Sequence, residues 1–255
     1  MSKYQKTNWI FAILGLFCTW QMYFNLMYGL WLLIGVIITY GVLMFWFSMN
    51  MQANFFVTTI SHLPDGKVML TFDDGPHPVH TPEILDILKE GNAKALFFII
   101  GKEAEKYPEI VRRIQNEGHL IGGHSYEHTL TFGLKGSCSV HEDIMKGQNL
   151  LSELTGQEVK FFRPPFGVTN PQVANCVKNE ELHTIGWSVR SFDTATVEAA
   201  RIIKRVGERV EAGSIVLLHD RLSQTVKALP GILKAVTRKK LALDVQYLED
   251  LTKQI

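Results

Sequence analysis

The chain has 255 residues, which is enough for one sizeable domain and a shorter appended segment. Its formal net charge of +1 shows no excess of either sign, which argues against nucleic acid or an acidic surface as a bulk partner. The cysteines show no C-x-x-C spacing, so neither a disulfide framework nor a cysteine zinc site follows from them. A pair between Cys138 and Cys176 stays open.

The N-terminal part of the chain is its most apolar part. No Asp, Glu, Lys or Arg occurs between Lys6 and Asp65, and residues 9–47 are almost wholly apolar or aromatic. A helix that spans a bilayer needs about 20 such residues. The stretch therefore predicts a membrane anchor of two transmembrane helices, at about 9–26 and 29–47. A cleaved signal peptide is the rival interpretation, but its apolar region is only about 7–15 residues long.

The predicted side of the membrane depends on two charges. Lys3 and Lys6 favour a cytoplasmic N-terminus, and two spans return the chain to the same side. This interpretation divides the chain into a membrane anchor (1–50), a linker (51–66) and a cytoplasmic folded domain (67–255). A single long span would instead place the folded domain on the side of the cell envelope.

From residue 67 onward, short apolar runs alternate with amphipathic helical patterns. The apolar runs predict seven strands: Lys67–Phe72, Ala95–Ile100, His119–Gly122, Val159–Phe162, His183–Val189, Ser214–Leu218 and 242–246. Thr81 and Pro82 are typical of the N-cap and first residue of a helix, and they introduce the first intervening helix. This alternation implies parallel strands joined by right-handed crossovers, as in an open doubly wound sheet or a barrel.

The positions of polar residues favour the barrel. Polar side chains directly follow several different predicted strands: Asp73, Asp74, His124, Arg163 and His219. A barrel collects its chemistry from the carboxyl ends of many strands, whereas an open sheet concentrates it at one switch point. We therefore predict an α/β fold, a distorted (β/α) barrel of about seven strands, preceded by an N-terminal transmembrane helical hairpin.

Two motifs supply a candidate metal site. The segment T-F-D-D-G at 71–75 sets two carboxylates side by side, and adjacent aspartates repel unless a cation or a shared proton separates them. The segment H-S-Y-E-H at 124–128 places two imidazoles one helical turn apart, where both can meet one metal. Its glutamate does not occupy the position found in H-E-x-x-H zinc proteases. Asp74, His124 and His128 would form a His₂Asp set with positions left open for water and substrate.

Two further motifs follow predicted strands. In F-R-P-P-F-G at 162–167, the prolines cannot donate hydrogen bonds, so Arg163 and the Phe166 amide are the polar contributors. In L-L-H-D at 217–220, His219 follows a buried strand. Taken alone, the arginine also fits a loop salt bridge, and the histidine also fits a structural role.

Together these motifs resemble the polysaccharide deacetylase family, also called carbohydrate esterase family four or the NodB-homology domain, over about residues 67–245. The resemblance implies a metal-dependent hydrolase that removes acetyl groups from N-acetylhexosamine units and releases acetate. The glycan would be peptidoglycan, chitin or a lipid-linked sugar. The resemblance also implies that Asp73 is the general base and that Asp74, His124 and His128 bind the metal.

The resemblance assigns further roles around this centre. Arg163 would orient the base, His219 would be the general acid, and Asp193 would orient that acid. The Phe166 amide would help to bind the oxyanion. A His₂Asp set suits zinc best, with cobalt, manganese and nickel as alternatives.

The fourth family motif, D-x-x-D-W, is altered in this chain. Arg190 replaces its first acid and Thr194 replaces its tryptophan, while Asp193 keeps the orienting acid. The change affects the wall of the acetyl pocket more than the chemistry. Trp187 and Phe192 are the candidates for the missing apolar surface.

Two other functions remain open at this point. The same site would serve an O-acetyl carbohydrate esterase, and the altered fourth motif also fits a membrane-anchored carbohydrate-binding pseudoenzyme. Asp73, Arg163 and His219 are intact, which argues against the pseudoenzyme, because binding alone needs no base and acid. The expected partners are an acetylated carbohydrate and the lipid bilayer, with no nucleic acid.

Overall fold

The computed structural model describes residues 1–252, in which a curled sheet is surrounded by helices. Within these residues the strands are β1 (Thr59–Ile60), β2 (Met69–Gly75), β3 (Ala95–Ile99), β4 (Leu120–Gly123), β5 (Phe161–Phe162), β6 (His183–Ile185), β7 (Val189–Arg190) and β8 (Ile215–His219). The helices are α1 (Lys3–Phe24), α2 (Leu26–Ser48), α3 (His80–Glu90), α4 (Gly101–Lys106), α5 (Pro108–Asn116), α6 (Ser137–Thr155), α7 (Pro171–Asn179), α8 (Ala199–Arg209), α9 (Ser223–Arg238) and α10 (Gln246–Thr252). Short 3₁₀ helices cover Met51–Ala53, Phe132–Leu134 and Pro165–Gly167.

The strands pair in the order β1-β6-β5-β4-β3-β2-β8-β7, and each of these pairs is parallel. The central strands are nearly continuous apolar runs, as expected for parallel strands that are covered on both faces. The sheet curls but does not close into a barrel. Its first and last strands in space, β1 and β7, do not pair with each other and form two edges. The α/β class and the parallel pairing are confirmed, and the predicted barrel is a half-barrel.

Two predicted strands differ from the structure. The predicted strand His183–Val189 is divided between β6, which lies next to the edge strand β1, and β7, which forms the opposite edge, because the chain crosses the opening of the half-barrel at residues 186–188. A continuous apolar run does not reveal such a crossing. In the predicted strand 242–246, only Leu243 forms a bridge, to Val68.

The predicted linker at 51–66 is part of the folded domain. It contains a 3₁₀ helix and the edge strand β1, which pairs with β6. Phe55 and Val57 are each only 6% exposed. The apolar side chains of this segment are therefore used for packing, and the folded domain begins before residue 67.

The two N-terminal helices fold back on each other at Asn25, which caps α2 by accepting a hydrogen bond from the Tyr28 amide at 3.1 Å. Within residues 1–252, only α2 is long and apolar enough, by length and composition, to cross a membrane. Lys6 and Asn8 shorten the apolar part of α1 at its start, and Gln21 interrupts it. The prediction of two spans is therefore not supported, and neither is the cytoplasmic placement that depended on it.

The end of α2 packs directly against the folded domain. The Ser48 carbonyl accepts a hydrogen bond from the Thr169 amide at 2.9 Å, and the Gln52 side chain donates to the Trp187 carbonyl at 3.1 Å. Met51 is 2% exposed. Thr169 and Trp187 follow β5 and β6, so α2 ends at the carboxyl edge of the sheet. This is the edge at which the predicted site residues lie.

Candidate active site

Three side chains that could bind a metal ion converge at the carboxyl edge of the sheet. Asp74 lies near the end of β2, His124 directly follows β4, and His128 lies in the loop beyond it. Asp74 Oδ1 is 3.5 Å from His124 Nε2 and 3.4 Å from His128 Nε2. One ligand atom from each residue lies within 4.8 Å of the other two, which suits the binding of a single cation. We call these three residues the metal trio.

Hydrogen bonding leaves the required imidazole nitrogen free. His124 Nδ1 lies 2.7 Å from the Arg163 carbonyl, so Nδ1 carries the proton and Nε2 faces Asp74 as an acceptor. Burial and the neighbouring His124 lower the pKa of His128 to about 4, so this imidazole is neutral at pH 7. Burial alone would raise the pKa of Asp74, but His124, His219 and His128 lower it below its usual value. This donor set fits a divalent metal ion.

The predicted helical turn at His124–His128 is wrong, because the segment is a loop. Ser125 and His128 adopt left-handed φ angles of 62° and 50°, and Asp74 also has a positive φ, of 75°. Non-glycine residues rarely adopt this conformation. The Ser125 hydroxyl supports it by accepting a hydrogen bond from the His128 amide at 3.0 Å. The two rings therefore meet, with centroids 4.7 Å apart, through loop geometry instead of helical periodicity.

The proposed base and its arginine form a buried pair beneath the metal trio. Arg163 Nη1 donates to Asp73 Oδ1 at 2.6 Å and to the Thr71 hydroxyl at 2.8 Å. Its Nε and Nη2 donate to the carbonyls of Ile185 and Gly186, so the whole guanidinium fork is fixed. Asp73 Oδ2 remains directed toward the trio, 3.9 Å from a histidine nitrogen. One carboxylate oxygen of Asp73 is thus held by Arg163, and the other is available to accept a proton.

The proposed acid lies on the adjacent strand, where His219 is in register with Asp73. His219 Nδ1 is 2.8 Å from Asp193 Oδ1, and Asp193 Oδ2 accepts hydrogen bonds from the His219 amide and the Thr225 hydroxyl. Burial alone would lower the pKa of His219, but the hydrogen bond and charge of Asp193 raise it above its usual value. The proton on Nδ1 is therefore fixed, and Nε2 is the nitrogen that can transfer a proton.

The three candidate wall residues occupy different places. The Phe166 ring is 48% exposed and lies 4.8 Å from the His128 ring. Trp187 packs against Gly167, and the Arg163 guanidinium lies 5.6 Å from its ring. Phe166 thus adjoins a proposed metal ligand, and Trp187 adjoins the arginine that holds the proposed base. Phe192 instead places its ring against arginine side chains, outside the metal trio.

Two residues that hold this site were missed by sequence reasoning. Arg221 Nε lies 3.0 Å from Asp74 Oδ2, and its side chain is 55% exposed. Its place two residues after His219, just beyond a strand end, was the available signal. Thr225, which holds Asp193, lies on α9, and nothing local in the sequence marks it.

The buried carboxyl of Asp220 supports the first motif. It accepts a hydrogen bond from the Thr81 hydroxyl at 2.6 Å, and burial raises its pKa to about 7. Thr81 therefore does not serve as the predicted N-cap of α3. A Cβ on Gly75 would overlap the Asp220 carboxylate, so the turn after the two aspartates requires glycine.

Comparisons with known proteins agree with these motifs. The family model described as polysaccharide deacetylase matches residues 61–185. A peptidoglycan-N-acetylglucosamine deacetylase of Bacillus cereus is 38% identical over 182 residues, which cover 68% of this chain and 64% of that protein, just under two thirds of its length. A chitooligosaccharide deacetylase of Azorhizobium caulinodans is 38% identical over 155 residues, covering 60% of this chain and 73% of that protein.

A solved structure is similar over a larger share of its own chain. The crystal structure of a peptidoglycan N-acetylglucosamine deacetylase, in complex with a substituted N-oxidanyl-benzamide, has 35% sequence identity and a TM-score of 0.69. The match covers 73% of this chain and 89% of that chain. The likeness therefore extends across the half-barrel.

Proposed function

The chain belongs to the polysaccharide deacetylase family, a family of hydrolases that act on amide carbon–nitrogen bonds, and from this premise we propose that it removes acetyl groups from N-acetylhexosamine units of a glycan. The observation that carries the proposal is a base candidate and an acid candidate on adjacent strands, next to the metal trio. The relatives named for peptidoglycan N-acetylglucosamine and chitooligosaccharide support a glycan substrate.

Asp74, His124 and His128 are the residues that would hold the metal. Two imidazoles and a carboxylate suit zinc best, with cobalt, manganese and nickel as alternatives. When bound, the metal would polarise the acetyl carbonyl and acidify a water molecule.

The other residues would move the protons and hold the charges. Asp73, oriented by Arg163, takes a proton from water as the water attacks the acetyl carbon. The Phe166 backbone N–H donates to the carbonyl oxygen as this oxygen gains negative charge. His219 gives a proton to the nitrogen as the carbon–nitrogen bond breaks, and Asp193 keeps its ring in the required tautomer.

The acid role of His219 predicts the effect of Asp193→Asn on pH dependence. A raised pKa keeps His219 protonated to higher pH, and activity that needs this proton is lost as pH rises through that pKa. Removing the Asp193 charge should lower the pKa, so the alkaline limb of kcat should move to lower pH by about one unit. The pH profile of acetate release measures this. Thr225→Val keeps the charge and should move the limb less, and an unmoved limb in Asp193→Asn would contradict the assignment.

Replacing His219 with alanine separates amide from ester hydrolysis. An amine leaves poorly without a proton, whereas an alkoxide depends less on an acid. Acetate release from an N-acetylated oligosaccharide should therefore fall by about 10²–10⁴-fold, and release from an O-acetylated one should fall less. This comparison tests the proposed N-deacetylase against the O-acetyl esterase. A wild-type enzyme that releases acetate only from the ester would overturn the proposal.

We further infer that α2 anchors the protein in a membrane. Side chains along this helix, such as those of Trp31, Ile38 and Phe45, are 60–69% exposed, which leaves an apolar surface for lipid. Alkaline carbonate extraction should leave the full chain in the membrane pellet with its N-terminus intact. A mature chain that begins after residue 48 would instead identify α2 as a cleaved signal. A reporter fused after residue 50 assigns the side of the membrane on which the folded domain lies.

A further inference from the structure

A cavity lies in the opening of the half-barrel, between the edge strands β1 and β7. Its volume is about 840 Å³. An antiparallel bridge joins His62, which follows β1, to Ser214, which precedes β8. Asn50 and Gln52, which directly follow α2, line the cavity, and so does Trp187. The cavity therefore lies between the end of the membrane helix and the wall of the candidate active site.

The cavity carries unbalanced positive charge. Arg190, Arg205 and Arg209 line it together with a single acid, Glu211. Among residues 1–252, none of these three arginines has a carboxylate within ion-pair distance. Partial burial and repulsion from Arg209 and Arg190 lower the pKa of Arg205, with no acid acting in the opposite direction. Like charges gathered without a counter-ion indicate a site for an anion. We call these three residues the arginine cluster.

Two members of the arginine cluster, Arg190 and Arg205, are ordered by contacts with each other and with Phe192. Arg205 Nε donates to the Arg190 carbonyl at 2.8 Å, and the Arg205 guanidinium lies 4.1 Å from the centre of the Phe192 ring. The Arg190 guanidinium lies 5.2 Å from the same ring. A guanidinium stacked on an aromatic ring keeps its edge available for hydrogen bonds. Arg190 and Arg205 are therefore held in place before any ligand binds, and Arg209 adds its charge from the same helix as Arg205.

The cluster also lies close to the proposed acid. Arg190 is in register with Leu217, two residues before His219, which is about 7 Å along a strand. Phe192, which both guanidinium groups contact, directly precedes Asp193 in the chain. The cluster therefore adjoins the strand and the chain segment that carry the proposed acid and its orienting carboxylate.

We propose that the arginine cluster binds a phosphate or diphosphate ester of the acetylated sugar, so that the substrate is a phosphate-linked sugar. This inference rests on the proposed deacetylase function. Planar guanidinium groups pair with phosphate oxygens in a bidentate manner, which a neutral polysaccharide would not use. The cavity lining begins at Asn50, two residues after α2 ends at Ser48. A phosphate that links a sugar to a membrane lipid would lie at this level, and a soluble sugar phosphate offers the same chemistry.

Binding is tested first without catalysis. Inorganic pyrophosphate is titrated into the full-length protein in detergent, and its affinity is measured by calorimetry. Arg205→Gln and Arg209→Gln should each weaken binding about tenfold, the effect of losing one charge-assisted hydrogen bond. Arg201→Gln is the matched control, because Arg201 lies on the same helix, is exposed and pairs with Glu198. Equal affinities in wild type and both cluster variants, or no binding to wild type, would overturn the inference.

Kinetic measurements then distinguish a phosphate linked to a membrane lipid from that of a soluble sugar phosphate. Acetate release is compared for a neutral chitooligosaccharide, N-acetylglucosamine 1-phosphate, and N-acetylglucosamine linked by a diphosphate to a polyprenol in phosphatidylcholine vesicles. Arg209→Gln should raise KM about tenfold for the phosphate-bearing substrates and leave the neutral one unchanged. A lower wild-type KM for the polyprenol substrate than for the soluble phosphate identifies the membrane as the source, and the reverse identifies a soluble substrate.

The two proposals fail in different ways. If Arg209→Gln changes KM equally for all three substrates, or for none of them, the inference about phosphate is overturned and deacetylation stands. If no substrate releases acetate in the metal-loaded wild type, the proposed function fails. In that case the pyrophosphate titration still decides whether the arginine cluster binds phosphate.

Discussion

Asp73→Asn is expected to lower kcat/KM for deacetylation by about 10²–10⁴-fold, the contribution of a general base. The substitution keeps the shape of the side chain and removes the oxygen that can accept a proton from water. Asp74, His124 and His128 are unchanged, so the metal content should stay at the wild-type level. Acetate release under saturating metal, together with elemental analysis of the same sample, measures both quantities.

The control for this variant must account for Arg163. Arg163 is fully buried and its charge is paired with Asp73, so Asp73→Asn should also lower the free energy of unfolding, by about 3–5 kcal/mol for a broken buried pair. Thr71→Val removes another partner of the same guanidinium nitrogen and leaves the base in place. It should cost stability without a comparable loss of rate in the folded protein. A folded Asp73→Asn enzyme with activity within tenfold of wild type would contradict the base assignment.

The parts of the site that could be predicted from sequence are those that lie in short contiguous motifs. Asp73 and Asp74 lie in one motif, and parallel strands bring their carboxyl ends to one edge, so motif position and strand order together placed these residues near His124 and His219. The curled α/β sheet followed from the alternation of apolar runs and amphipathic helices. Local pattern and the known behaviour of parallel strands were sufficient here.

The parts that could not be predicted depend on contacts distant in sequence or on backbone conformation. The left-handed φ at Ser125 and His128 leaves no periodic signal, so a helical turn was the wrong expectation. The division of His183–Val189 between β6 and β7, on opposite sides of the sheet opening, depends on the curl of the half-barrel. The packing of Met51 and Ser48 against the folded domain joins segments more than one hundred residues apart. Such pairings are chosen by the whole fold.

Removal of the metal is expected to have the second large effect on acetate release. A chelator should abolish acetate release by the wild-type protein, and add-back of zinc, cobalt, manganese or nickel should restore it to different extents and so identify the preferred ion. The reason is that Asp73 and His219 only move protons, whereas the acetyl carbonyl needs a positive charge to polarise it. Activity that persists in protein without detectable metal would contradict the whole site.

The proposed role of His124 as a metal ligand is tested by the variant His124→Ala. His124 combines a free Nε2 with an Nδ1 bound to the Arg163 carbonyl, so its loss removes a ligand and an orienting contact together. Loss of a residue that only orients a metal ligand lowers metal affinity by about 10–100-fold, so loss of the ligand itself should lower it at least as much. Activity at low metal concentration should fall with the affinity. His141→Ala is the matched control, since His141 is on the surface and pairs with Glu180. Because high metal concentration can refill a weakened site but cannot replace a missing base, partial rescue of His124→Ala and none of Asp73→Asn would separate the two roles.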